Sequence, residues 1–230
     1  MFIQVIQGRT RAPDKLKQAA DRWYQEVSPG ARGWLGSLLG VTDKGTFIAL
    51  VRFDSRRAAR RNGERREQRQ WWEETCRLLD GEVTVHDCTD VQTHLGDWPE
   101  QTGCVKIFQS RIRDRRALRE LWRREDRRLI AELRPDILGS VTAVHPDGGC
   151  TTALFFRSVQ DARAGEHRPM PEWLKARWQE ELQYYEPETT CCELRDPWMY
   201  LPVFVPPSER TGTSGTAARE KTPATANAMA

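Results

Sequence analysis

The sequence predicts an α+β protein of two similar halves, each folding as β-α-β-β-α-β in the ferredoxin-like arrangement. Three observations predict it. The halves align with each other over long ungapped stretches; each half runs through the same order of strand, helix and turn signals; and the central strands are apolar at successive positions, so their sheets need cover on both faces.

The internal match is specific. Phe2-Ile3-Gln4-Val5-Ile6-Gln7-Gly8-Arg9-Thr10-Arg11 falls on Cys104-Val105-Lys106-Ile107-Phe108-Gln109-Ser110-Arg111-Ile112-Arg113, keeping Gln-x-Arg-x-Arg in both. At a shift of 103, Leu35-Gly36-Ser37 meets Leu138-Gly139-Ser140, Phe53 meets Phe156, and Ala59-Arg60 meets Ala162-Arg163. Nine identities between residues 34 and 60 exceed the roughly one or two that average residue usage would give. A period near a hundred residues implies two copies of a small domain rather than a solenoid.

The elements follow in order. Residues 2–7 are a β-prone run. Pro13-Asp14 opens a helix whose Leu16, Ala20, Trp23 and Val27 form one apolar stripe, and Ser28-Pro29-Gly30 stops it. Residues 34–41 and 47–53 are strands joined by the turn Thr42-Asp43-Lys44-Gly45. Asp54-Ser55 caps a second helical region that buries Trp71, Trp72, Thr75, Leu78 and Leu79, with Asp80-Gly81 ending it and 83–88 as the closing strand. In the second half Leu118, Trp122, Leu129 and Leu133 mark the first helix, and Pro146-Asp147-Gly148-Gly149 the hairpin turn. Leu174, Trp178, Leu182 and Tyr185 mark the second helix, and 189–194 the last strand. The expected organisation is repeat one over 1–95, a linker over 96–103, repeat two over 104–205, and a Thr/Ala/Ser/Gly/Pro-rich tail over 206–230 with too little apolar surface to fold.

Composition bounds the function. The 36 basic and 33 acidic residues nearly cancel, leaving a net charge of +3. The arginine clusters at 56–66 and 115–128 are interleaved with Glu64, Glu67, Asp114, Glu120, Glu125 and Asp126, and no aromatic stacking platform accompanies them. They read as a solvated ion-paired surface, and no nucleic-acid partner is expected. The six cysteines include no C-x-x-C pair and no histidine at metal spacing, so no metal site is expected and free thiols in a reducing compartment are. No basic, then apolar leader opens the chain and no apolar run reaches about 18 residues, so a cytoplasmic protein without a membrane partner is expected.

With the strand pattern of residues 2–11, the hairpin of 36–53, and the Asp54-Ser55-x-x-Ala58-Ala59 opening of a helix continuing to Trp71-Trp72, the chain resembles the dimeric α/β-barrel superfamily. The similarity is in particular to its antibiotic-biosynthesis-monooxygenase-like proteins. It covers residues 2–201 and implies two tandem ferredoxin-like repeats packed sheet to sheet as an intramolecular eight-stranded barrel. Such a self-contained pseudo-dimer leaves further oligomerisation open. The implied function is a monooxygenase-like enzyme working without metal or flavin on an aromatic or polyketide-like substrate. The alternative is a non-catalytic member of the fold that binds a small molecule or a protein.

The same resemblance places a pocket-lining tryptophan on the second helix, a position held here by Trp72 with Trp71 beside it, although aromatics at helical spacing are ordinarily core. The family's first-strand asparagine is replaced by Gln4 or Gln7, and its haem-ligating histidine has no counterpart on the second helix. No cofactor is therefore expected, with haem left open. His86, in the closing strand of the first half, is the best-placed candidate base because strand neighbours can tune an imidazole. Gln7 is the candidate stabiliser of an anionic intermediate. Arg9 could bind a carboxylate or enolate, or pair where the halves meet, since Gln109-Ser110-Arg111 repeats Gln7-Gly8-Arg9. Asn62 could reach a ligand from a loop after a short helix.

Overall fold

A computed structural model describes residues 1–94, 98–124 and 127–202. The expected tail over 206–230 and part of the expected linker lie outside the described residues. The first half runs β1 (Phe2–Arg9), α1 (Pro13–Arg22), β2 (Trp34–Val41), β3 (Thr46–Phe53), α2 (Arg56–Gly63), α3 (Arg66–Cys76) and β4 (Asp80–Cys88), followed by β5 (Asp90–His94). The second half runs β6 (Cys104–Arg111), α4 (Arg115–Arg123), α5 (Arg127–Leu133), β7 (Ile137–Val144) and β8 (Gly149–Phe156). It ends with α6 (Val159–Glu166), α7 (Glu172–Leu182), β9 (Thr190–Arg195) and β10 (Trp198–Tyr200).

The strands form two five-stranded antiparallel sheets, ordered β10-β2-β3-β1-β4 and β5-β7-β8-β6-β9. Within each, four strands follow the ferredoxin-like order, so the fold is α+β and ferredoxin-like. The fifth strand comes from the other half. β10 adds to β2 with Trp198 opposite Leu39, and β5 adds to β7 with Asp90 opposite Val144. These edge strands are absent from the sequence-based expectation. They are short, and their partners lie far away in the chain, so no hairpin signal announces them.

Both faces of the first sheet are covered, as its continuous apolar strands require. Phe2, Leu16, Trp23, Phe47, Ala49 and Phe53 pack between that sheet and its helices. Ile3, Val5, Ile48 and Leu50 pack with Val105, Ile107, Val141 and Phe155 of the second sheet. Phe2 and Ile3 thus point to opposite faces, the two-residue alternation of a strand.

Local chemistry sets the boundaries. Ser55 Oγ accepts the Ala58 N–H at 3.2 Å and Asp114 Oδ1 accepts the Ala117 N–H at 2.9 Å, each capping a helix start. The β2–β3 turn needs Gly45 at φ 77, where a Cβ would stand 2.8 Å from the Thr10 carbonyl oxygen.

The helices of the second half depart from expectation. Its first helical region is two helices, α4 and α5; Leu118 and Trp122 are buried on α4, whereas Leu129 is 38% exposed on α5. On α7, Leu174 is buried but Leu182 is 65% exposed. Leu182 is the last residue of the helix, and there the spacing of the stripe is met without burial.

Candidate functional site

A cavity of about 220 Å³ lies between the helices and the first sheet, on the sheet face turned away from the second sheet. Its walls combine aromatic side chains, Trp23, Trp71, Trp72, Phe47 and Phe53 among them, with aliphatic and polar ones. The size falls between an apolar hole of about 150 Å³ that holds benzene and the roughly 300–1,000 Å³ of drug-sized sites. A flat system of a few fused rings suits it.

Each wall has a local cause. α1 widens into a single π turn over Trp23–Val27, a distortion that shifts helical phase by one residue. There Trp23 stands edge-on to Trp34, with ring centroids 5.0 Å apart, and meets Trp71 at 6.1 Å. The Trp71 indole N–H donates to the Ala19 carbonyl at 2.7 Å, tying α3 to α1. Trp72 stands next to it, with centroids 6.0 Å apart. From the second half, Tyr200 on β10 completes the wall; its hydroxyl donates to Asp21 Oδ1 at 2.7 Å. Burial and then that carboxylate push the phenol's pKa well up, so Tyr200 stays protonated and keeps the bond.

The polar equipment is a chain of amides. Trp23 Nε1 donates to Gln68 Oε1 at 2.7 Å, and Asn62 Nδ2 donates to the same oxygen at 3.1 Å. Arg65 Nη1 in turn donates to Asn62 Oδ1 at 3.0 Å. An indole N–H and a guanidinium can only donate, so they fix the orientation of both amides. The Gln68 carbonyl is doubly engaged, and its NH₂ remains as a donor at the cavity wall. Across the cavity Gln4 Nε2 donates to Asp87 Oδ1 at 3.0 Å, placing a carboxylate one residue behind the lining.

The structure divides the sequence-derived candidates between two places. Trp71, Trp72 and Asn62 line the cavity. Asn62 does so from the last turn of α2, buried to 5% exposure, rather than from a loop. His86 and Gln7 lie on the opposite sheet face. On β1, Gln4 and Ile6 line the cavity while Ile3 and Val5 enter the core between the sheets, and Gln7 continues that second series. On β4, Val85 lines the cavity, so His86 turns away from it. Strand alternation therefore keeps His86 and Gln7 from sharing one site with the tryptophans. Arg9 is exposed and donates to the Lys44 carbonyl at 3.4 Å. Gln68 carries no sequence signal, and Trp23 reads from sequence only as part of an apolar stripe; their roles here depend on contacts between α1, α2 and α3 that no local motif encodes.

On the far face His86 stacks on His145, centroids 4.1 Å apart and planes 9° from parallel. Burial, and then the neighbouring His86, push the His145 pKa down to about 4. Burial also raises the thiols of Cys88 to about 12 and of Cys104 and Cys192 to about 11, so none is a thiolate nucleophile at neutral pH. Among the described residues no helix is long and apolar enough to cross a membrane.

No protein-family model matches the chain, and no curated protein matches it in sequence. Solved structures do match in fold. Two are each described as a "putative monooxygenase", from Lactobacillus acidophilus NCFM and from Fusobacterium nucleatum. They share 13% and 9% identity with this chain and a TM-score of 0.65 in both cases; each match covers 87% of this chain, with 96% and 94% of theirs. An anthrone oxidase-like protein matches with TM-score 0.60 and 11% identity over 86% of this chain and 92% of its own. At these identities the likeness is one of fold: that of the monooxygenase-like ferredoxin-fold proteins.

Proposed function

We propose that this chain, with the ferredoxin-like fold of monooxygenase-like proteins as the premise, is a small-molecule enzyme. It would oxidise an aromatic or polyketide-like substrate without metal or flavin. The observation that carries the reading is the aromatic-walled cavity of about 220 Å³ whose polar side is set by Gln68 and Gln4.

The chemistry suited to such a site is oxidation of an acidic methylene flanked by aromatic rings, as in an anthrone. Loss of a proton gives a delocalised carbanion whose charge rests mainly on the ring oxygen. The carbanion gives its electrons to O₂, a C–O bond forms, and collapse yields the ketone and water, so CH₂ + O₂ becomes C=O + H₂O. The chain's part is to hold the rings beside the wall that Trp71 and Trp72 share, exclude bulk water, and direct the Gln68 NH₂ at the developing oxyanion. A preorganised donor of that kind in a site shielded from water is worth on the order of 10²–10³ in rate. The proton would pass through an intervening water to Asp87, which lies behind the Gln4 side chain that donates to it.

The test is binding and turnover of a hydroxylated anthrone. Val85 is 48% exposed where it lines the cavity, so Val85→Trp should plug the site with little effect on folding. Quenching of tryptophan fluorescence on anthrone addition, abolished by Val85→Trp, supports the site. Binding without oxidation assigns the chain to the non-catalytic reading, and no binding removes the cavity from function.

A further inference from the structure

We propose that His86, His145 and Asp147 form a binding site for a divalent transition-metal ion of the Zn²⁺ type. It would join the two halves of the chain on the sheet face opposite the aromatic cavity. His86 comes from β4, while His145 and Asp147 come from the turn between β7 and β8. One ligand atom from each of the three lies within 4.8 Å of the others. The proposal does not rest on the oxidation chemistry of the cavity.

The donor set is two imidazoles and one carboxylate, the hard-and-borderline mixture that such ions take with three protein ligands and an open position for water. His145 Nδ1 and Asp147 Oδ1 are 4.0 Å apart, too far for a hydrogen bond. An ion about 2.1 Å from each in tetrahedral geometry would hold them roughly 3.4 Å apart, so this pair closes with a small side-chain rotation, while His86 gives up its stack on His145. The turn is already braced for it. Asp147 Oδ1 accepts the Gly149 N–H at 3.0 Å, and the backbone of His145 donates to the Gly149 carbonyl at 2.7 Å. Gly149 keeps the space open, because a Cβ there would stand 2.9 Å from His145 Nδ1.

The outer contacts also fit. His145 Nε2 lies 2.9 Å from Thr151 Oγ1, and Thr151 Oγ1 accepts from Gln109 Nε2 at 3.2 Å. If His145 donates Nε2–H to that hydroxyl, Nδ1 presents its lone pair in the ring plane toward Asp147, the arrangement in which a ligating histidine is oriented through its other nitrogen. His86, stacked on the ring face, would turn out of the stack to bring a nitrogen to the ion. Arg111 is the nearby opposing charge, with Nη1 3.7 Å from Asp147 Oδ2. Its charge is shared with Glu186 at 3.8 Å, and it faces the carboxylate oxygen that Gly149 does not hold. Sequence spacing could not show the trio, since His86 is 59 positions from His145 and belongs to the other half.

The experiment is equilibrium dialysis of chelator-stripped full-length protein against Zn²⁺, with a thermal melt in parallel and thiols kept reduced. The expected result is one equivalent bound per chain and a rise in melting temperature. His86→Gln and Asp147→Asn should each weaken that equivalent at least tenfold and abolish the rise. His86 is partly exposed and Asp147 exposed, so both variants should fold. Failure to bind one equivalent, or binding left unchanged by either substitution (as cysteine ligation elsewhere would give), overturns the proposal.

Discussion

Gln109 Nε2 donates to Gln7 Oε1 at 2.9 Å, so the two glutamines that align in the two halves of the sequence touch between the two sheets. The pair explains why Gln-x-Arg occurs twice better than a ligand site does: Gln7 and Gln109 hold the halves to each other, and neither reaches the aromatic cavity. Because Gln109 also donates to Thr151 Oγ1 at 3.2 Å, it is the more heavily bonded partner. Gln109→Met should destabilise by about 1–2 kcal/mol and Gln7→Met by less. A double-mutant cycle in urea should return a coupling of about 0.5–1.5 kcal/mol. Zero coupling would mean that the pair adds nothing across the interface.

Acid should loosen the exchanged edge strand. Asp90 on β5 has a side chain only 9% exposed and meets Arg115 Nη2 and Arg119 Nη2 of α4, each at 2.7 Å. Burial alone would raise its pKa, but the bonds from the two arginines outweigh it and hold the carboxyl below its ordinary value. A depressed folded pKa contributes stability that is present above the unfolded value of about 3.9 and is lost as pH falls through the folded value. Asp136, gripped by the buried Arg134 at 2.7 Å, behaves in the same sense. Asp90→Asn should therefore cost on the order of 1.5–3 kcal/mol at pH 7 and much less at pH 2, so its melting curve converges with that of the parent chain in acid. A difference that stays constant with pH would contradict the charge account.

Tyr200 should report on the other exchanged strand. Tyr200→Phe keeps the ring on Tyr24, 5.2 Å between centroids, and removes the bond to Asp21. The expected loss is about 1–2 kcal/mol, with faster amide exchange over β10. Unchanged exchange there would show that strand pairing with β2 suffices.

The tryptophans should separate by role. Trp71 ties α3 to α1 through Ala19, so Trp71→Phe should lose roughly 1–2 kcal/mol of stability. Trp72 is partly exposed and touches the cavity, so Trp72→Phe should shift ligand affinity with little change in melting temperature. Trp23→Phe should leave the Gln68 carbonyl without one of its two donors and lower turnover more than binding. A Trp72 variant that only destabilises would return this residue to plain core.

Much of this was legible in the sequence because it is local. Strand alternation, the stripe Leu16-Ala20-Trp23-Val27 and the Ser55 cap all act within a few residues, and the duplicated order reveals the ferredoxin-like topology. The strands β5 and β10 escaped because each pairs across the halves. His86 looked like a pocket base because its strand was known but its face was not. His145, just before the turn Pro146-Asp147-Gly148-Gly149, is 6% exposed and stacks on His86, a contact between the halves that its sequence neighbourhood does not signal. Gln68 carries no motif at all, and its donor role exists only once Trp23 and Asn62 fix its carbonyl.

The most direct test of the central claim is oxygen uptake with 1,8-dihydroxyanthrone in metal-free, flavin-free buffer, comparing the parent chain with Gln68→Met and Val85→Trp. One O₂ should be consumed per anthrone, with anthraquinone as product, at a rate well above the uncatalysed oxidation. Gln68→Met should lower that rate by on the order of 10²–10³, and Val85→Trp should bring it to background. An uptake no faster than buffer alone, or equal in all three proteins, would contradict oxidation in this cavity.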